Sequence, residues 1–259
     1  MSTLLAVEHL SKNFRGLRAL NDVTLEIAAD RVTAVIGPNG AGKSTFFNAA
    51  TGNIKASSGK VFFRSRDITN RPPHVVAQQG LTRSFQVPRV FSTLTVLENA
   101  MMGSRHVFGE QILQALVRRR KMWQADKRLR DRALESLRQV GLESAADRNA
   151  GSLGYAERKM VEIARALTSE ADLLLLDEPF SGIHDDVASR IIEIIRELPS
   201  SGRGVCLIEH NMRIVMSIAD YIYVLDHGEL IAQGDPACIR HDTRVIEAYL
   251  GKGQSNECA

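Results

Sequence analysis

Apolar residues fall along this chain in two rhythms. Short, nearly unbroken apolar runs at Val32 to Ile36, at Leu173 to Leu176 within Asp172 to Asp177, and at Gly204 to Ile208 read as strands buried on both faces. Thr24-Leu25-Glu26-Ile27 alternates apolar and polar, as a half-exposed strand does, and Gly59 to Phe63 predicts another before a polar loop with Pro72-Pro73. Tyr221 to Leu225, the turn Asp226-His227-Gly228 and Glu229 to Ala232 read as a hairpin.

Between these runs the spacing becomes helical. Lys43 to Ala50 forms a short helix that Gly52 can close. From about Val96 to Gly141 long helical stretches follow, with Ile112, Leu113, Leu116 and Val117 on one face and Leu129, Ala133, Leu134 and Leu137 on another. Met160, Ile163, Ala164 and Leu167 mark a helix after Gly151. Ile191, Ile194, Ile195 and Leu198 mark one for which Asp185 is the expected cap. Buried strands alternating with helices predict a mostly parallel sheet covered on both faces, with an added antiparallel layer.

Composition changes this picture little. The 259 residues allow one large domain or a core with a subdomain. Net charge is only +3, which gives no argument for a nucleic-acid partner. Cys206, Cys238 and Cys258 are scattered and lack metal-ligand spacing, as idle thiols in a reducing compartment would be. No apolar run approaches membrane-spanning length, and Met1 to Leu5 does not open like a signal peptide. The cluster Arg118-Arg119-Arg120-Lys121, continued by Lys127, Arg128, Arg130 and Arg132, reads as a solvated helix face, or as a contact for lipid headgroups or an acidic partner.

The chemistry is concentrated at strand ends. Gly37-Pro38-Asn39-Gly40-Ala41-Gly42-Lys43-Ser44-Thr45 fits the phosphate-loop pattern between a strand and a helix. Its glycines let backbone N–H groups curl around phosphate oxygens, Lys43 supplies a point charge, and the Ser44 hydroxyl can ligate Mg²⁺. The run Leu173 to Leu176 carries Asp177 to a strand end, where a carboxylate can hold the metal, and puts Glu178 where it can polarise an attacking water. His210, just past the next strand, can hydrogen-bond a γ-phosphate and that water.

These motifs, with Gln86 in Ser84-Phe85-Gln86-Val87-Pro88 and His210 in Ile208-Glu209-His210-Asn211, resemble an ABC-type ATP-binding subunit in order and spacing over nearly the whole sequence. The resemblance implies an α/β P-loop NTPase core with a mostly parallel sheet, an N-terminal antiparallel β subdomain and a helical subdomain. Core residues would be 1–86 and 170–259, with about 87–169 helical. It makes Gln86 the loop residue that senses Mg²⁺ and water, and places Phe14 where the family stacks an aromatic on adenine. An ordinary strand aromatic is the alternative for Phe14. The insert around Gly103 to Arg130 and the ending Val245 to Gly251 are similar to the subunit serving branched-chain amino-acid uptake. ATP and Mg²⁺ are the implied ligands. The implied partners are a second ATPase subunit, two membrane permeases and, indirectly, a solute-binding protein, at the cytoplasmic face of the inner membrane. An ATPase of a lipopolysaccharide-type exporter, a soluble cassette of assembly or repair and a regulatory nucleotide-binding module are the alternatives.

The family's signature loop is degraded. Leu153-Gly154-Tyr155-Ala156-Glu157 stands where Leu-Ser-Gly-Gly-Gln is usual, before a helix expected to begin near Glu157. Gly154 loses a hydroxyl, and Ala156 adds a methyl group where backbone should approach phosphate or take positive φ. His184 replaces the usual Asp of the loop after Pro179. These departures lead to the expectation of a heterodimer, in which a different subunit's intact signature completes this protein's site.

Overall fold

A computed structural model describes residues 2–84, 88–104 and 119–250. Gln86, the face Ile112 to Val117, Arg118 and Cys258 lie outside the described residues. The protein divides into two compact units: Met1–Arg83, Asp172–Pro179 and Ile195–Ala259 form the first, Ser84–Ala171 and Phe180–Ile194 the second.

The first unit holds two sheets. β1 (Thr3–Phe14), β2 (Leu17–Ala28), β4 (Ser58–Phe63) and β5 (Arg66–Asp67) pair antiparallel in the order β2-β1-β4-β5. The second sheet runs β10-β9-β3-β8-β7-β6. Its strands are β3 (Val32–Ile36), β6 (Leu81–Arg83), β7 (Leu173–Asp177), β8 (Gly204–Ile208), β9 (Tyr221–Asp226) and β10 (Glu229–Gly234). β6, β7, β8, β3 and β9 are parallel, and β10 pairs antiparallel with β9. Every residue of β3, β7 and β8 is buried, which is why these strands read as unbroken apolar runs. The loop joining β9 to β10 is the two-residue turn His227-Gly228, both at positive φ, as a hairpin following strand twist requires.

Helix α1 (Lys43–Ala50) drives Phe46 and Phe47 into the core, where both are fully buried among residues of β1, β2, β4, β7 and β8. Burying two phenylalanine side chains contributes on the order of 1.5–3 kcal/mol each. The unit also contains α2 (Pro73–Gln79), α7 (Met212–Ile218), α8 (Pro236–His241) and α9 (Thr243–Leu250).

The second unit is helical. α3 (Val96–Met101) opens on a reciprocal capping box between Thr95 and Glu98. α4 (Arg119–Gln139) buries Leu129, Ala133 and Leu137, and α5 (Tyr155–Thr168) buries Met160, Ile163, Ala164 and Leu167, as their spacing predicts. Arg165 of α5 donates to the backbone oxygen and side-chain Oδ1 of fully buried Asn99, and Asn99 in turn donates to the carbonyls of Phe91 and Thr95. That network ties 91–99 to α5 and satisfies polar groups that burial would otherwise penalise. α6 (Asp185–Glu197) begins at Asp185 itself. The expected cap is therefore the first helical residue, and its carboxylate instead complements the helix dipole together with Asp186.

Candidate functional site

Lys43, Ser44, Asp177, Glu178 and His210 gather in the first unit at the C-terminal ends of β3, β7 and β8, where ligands of open parallel sheets bind; Gln86 lies outside the described residues. The phosphate loop leaves β3 at Gly37 and enters α1 at Lys43 through Gly42, which caps the helix at φ 100. Two neighbouring segments shape the loop. A Cβ on Gly37 would stand 2.0 Å from the Leu225 carbonyl oxygen, and one on Gly42 2.6 Å from that of Ala19. Glycine at both positions is thus dictated by the protein's own backbone, not by phosphate alone. Gly40 has open space in front of it, and Asn39, Gly40 and Ser44 are exposed; Pro38 and Thr45 are partly so. Ala41 is buried, and its carbonyl accepts from the Gly228 amide at 3.1 Å.

Lys43 is buried, and its ammonium donates to the carbonyls of Gly37 (2.7 Å) and Pro38 (2.9 Å), which hold the side chain along the loop. Burial draws its pKa below the ordinary lysine value, opposed by the charges of Glu178 and then Asp177. An anion placed over the loop would relieve this penalty.

Asp177 ends β7, is buried, and accepts a 2.7 Å bond from the Arg83 guanidinium. Glu178 follows in the left-handed region at φ 48, with its amide donating to the Ile208 carbonyl at 3.0 Å. This costs of order 1–3 kcal/mol for a non-glycine residue, and it turns the Glu178 side chain away from the direction a continuing strand would give. His210 Nδ1 lies 3.9 Å from Glu178 Oε1 and 3.8 Å from Glu209 Oε2, with the imidazole largely exposed. The fold therefore brings Lys43, Asp177, Glu178 and His210 to one sheet edge. Phe14 is the last residue of β1, 43 % exposed, with Lys12 Nζ 4.7 Å from its ring centroid. Its ring is available to a flat partner.

Two residues near this edge carry no motif. Arg83 sits at the end of β6, and only tertiary pairing shows that it meets Asp177. Tyr249, near the end of α9, has its phenol oxygen close to the Gly37 amide. Partial burial raises the phenol's pKa, with the nearby Gly37 amide opposing. The aromatic in Val245 to Gly251 was visible as part of a resemblance, but nothing in the sequence signalled its contact.

The signature loop is in the second unit. Here α5 begins at Tyr155, two residues earlier than expected, because Gly154 adopts an extended cap conformation (φ −68, ψ 170). The carboxylate of Glu157 reaches back 2.9 Å to the Gly154 amide, and Arg148 pairs with Glu157 at 3.1 Å. Glycine has no side chain to return the bond. Ala156 is the second helical residue and does not take positive φ, so its methyl causes no backbone strain. Leu153 is buried, and a Cβ on Gly182 would lie 2.8 Å from the Tyr155 ring. His184 is exposed.

Fold and site together define a P-loop nucleotide-binding cassette. Residues 20–181 match the ABC transporter family. Residues 229–254 match a second family described as branched-chain amino acid ATP-binding cassette transporter. A probable branched-chain amino acid transport ATP-binding protein of Archaeoglobus fulgidus is 37 % identical over 257 residues, covering 98 % of each protein. A high-affinity branched-chain amino acid transport ATP-binding protein of Escherichia coli K12 is 36 % identical over 250 residues, covering 96 % of this protein and 98 % of that one. The solved structure of a nucleotide-free ATP-binding cassette from an ABC transporter superposes with a TM-score of 0.82 at 34 % identity, covering 96 % of this protein and 100 % of that one. The ADP conformation of another such cassette gives 0.81 at 33 %, covering 97 % and 100 %. This chain belongs to the ABC transporter family, as an ATP-binding cassette: a nucleotide-binding subunit whose ATPase activity is coupled to transport.

Proposed function

We propose that this cassette powers uptake of branched-chain or related amino acids through a pair of membrane permeases fed by a separate solute-binding protein. The observation that carries the reading is the full-length likeness to relatives named for that transport, together with the second family's match at residues 229–254. Among the described residues no helix is long and apolar enough to cross a membrane, so membrane attachment falls to the permeases. The cassette then works as a peripheral subunit on the cytoplasmic face of the inner membrane.

Within the cassette, Gly37 to Thr45 hold the nucleotide's phosphates, Phe14 stacks on its base, and Lys43 faces the β- and γ-phosphates. The protein's donors fit Mg²⁺: Ser44 is an exposed hydroxyl on the first turn of α1, and Asp177 is a carboxylate at the facing strand end. Gln86 would complete the set. When bound, the ion neutralises phosphate charge. Glu178 orients and deprotonates the attacking water, and His210, 3.9 Å from the Glu178 carboxylate, holds that water and the γ-phosphate in line. Catalysis rests on placement and charge, since phosphoryl transfer asks little covalent chemistry of the protein.

The signature loop, Leu153 to Glu157, acts on the nucleotide of a second ATPase subunit. With Gly154 lacking the hydroxyl, that partner's site turns over slowly, while this protein's site is completed by the partner's intact loop: a heterodimer with unequal sites. Co-expression with two permeases and a second cassette, followed by reconstitution into vesicles, tests the whole reading. Leucine-stimulated ATP hydrolysis and leucine accumulation are expected. Brisk hydrolysis by this protein alone as a homodimer would overturn the heterodimer, and no response to any branched-chain amino acid would overturn the solute.

A further inference from the structure

We infer that Arg83 is a positioning residue that makes metal binding at Asp177 conditional on nucleotide, by serving as the carboxylate's resident counter-ion until phosphates arrive. The inference rests on the reading of Asp177 as a metal-holding residue.

Strand pairing explains how the two meet. β6 and β7 are parallel with Arg83 opposite Leu175, and Leu175 and Asp177 share a face because side chains alternate along a strand. Arg83 therefore sits one step short of Asp177 and reaches forward to it. One guanidinium nitrogen donates to Asp177 Oδ2 at 2.7 Å, and another donates to Asn48 Oδ1 on α1 at 2.6 Å. The guanidinium carbon lies 5.7 Å from the Phe47 ring centroid. Both side chains of the pair are almost wholly buried, at 9 % and 4 % exposure. Arg83 Nε is buried and finds no hydrogen-bond partner among the described residues.

The electrostatic consequence is specific. A divalent cation approaching the nucleotide-free edge meets a carboxylate whose charge is already matched by Arg83, with the Lys43 ammonium nearby. Opposite and like charges a few ångströms apart in a partly buried site weigh heavily on such binding. Nucleotide phosphates restore the missing negative charge, and the metal then enters with them.

The test is Mn²⁺ binding to the purified cassette, read from the loss of the free-ion EPR signal, with no nucleotide and with a non-hydrolysable ATP analogue. Wild-type protein should bind Mn²⁺ weakly without nucleotide. Arg83→Gln should tighten nucleotide-free Mn²⁺ binding by roughly tenfold, the scale of one unit charge removed at close range. Arg83→Lys, which keeps the charge, should stay within about twofold of wild type, since the Coulomb effect needs only the charge. The double variant Arg83→Gln/Asp177→Asn should lose the gain. Unchanged or weaker Mn²⁺ binding in Arg83→Gln, or a gain that survives Asp177→Asn, would overturn the inference. If Arg83→Gln does not fold, a tenfold gain in Arg83→Lys would overturn it equally. Asp177→Asn in the wild-type background addresses the underlying reading separately: it should weaken Mn²⁺ binding in the presence of the analogue, and no effect would mean that Asp177 does not hold metal at all.

Discussion

A buried cation and a strained acid set the chemistry of this cassette at the scale of single residues. Lys43 has its pKa lowered mainly by burial. The unfolded protein therefore binds more protons than the folded one between the depressed value and the ordinary one, and the free protein gains stability as pH rises through that window. Nucleotide acts in the opposite sense. Phosphate favours the charged ammonium, so binding takes up a proton in the alkaline range and affinity falls as pH rises through the depressed value. Calorimetric titration in two buffers of different ionisation enthalpy should show this uptake. Glu178→Gln keeps the shape of the side chain at φ 48 but removes the carboxylate proposed as the base. It should lower kcat by about 10²–10⁴ while leaving nucleotide binding within a few-fold, measured by single-turnover hydrolysis beside equilibrium binding. At Gly154 a Cβ has room, its nearest neighbour being Glu157 Oε2 at 3.8 Å. Gly154→Ser should complete the cap, raise stability by a few tenths of a kcal/mol in urea unfolding, and speed hydrolysis at the second cassette's site.

At the scale of elements, the phosphate loop is stiff because two pieces of backbone hem it in. Ala19 of β2 and the β9–β10 hairpin leave no room for side chains at Gly42 and Gly37. Gly42→Ala combines a left-handed φ with a carbonyl at 2.6 Å, and should cost about 1–3 kcal/mol, read from the urea midpoint. α9 adds a third contact. Val245 buries its side chain, and the Tyr249 phenol lies close to the Gly37 amide.

At the scale of the whole molecule, the two units answer different physical demands. The first buries continuous apolar strands to hold acidic and basic groups at one sheet edge. The second is built from amphipathic helices, and the signature loop lies at the N-terminus of one of them, α5. If that loop serves a partner cassette, specific ATPase activity of the purified protein should remain low at every protein concentration. It should rise when the second cassette is added, with a stoichiometry of one to one in a titration followed by phosphate release.

The strands, the phosphate loop and the order Lys43, Asp177, Glu178, His210 were legible in the sequence. Period and motif spacing are local properties, and a buried parallel strand announces itself by being apolar throughout. The hairpin, the α4 and α5 faces and the degraded signature were legible for the same reason. What the sequence could not show was which side chains meet across the sheet. Arg83 looks like any basic residue before a loop until β6 is registered against β7, and Tyr249 is more than two hundred residues from Gly37. Gly154 reads as a lost serine, yet its extended φ and ψ make it a helix cap and move the start of α5 to Tyr155. Local pattern determined the elements and the chemistry on offer. Long-range pairing, which no local pattern encodes, decided which charge faces Asp177 and what closes around the phosphate loop.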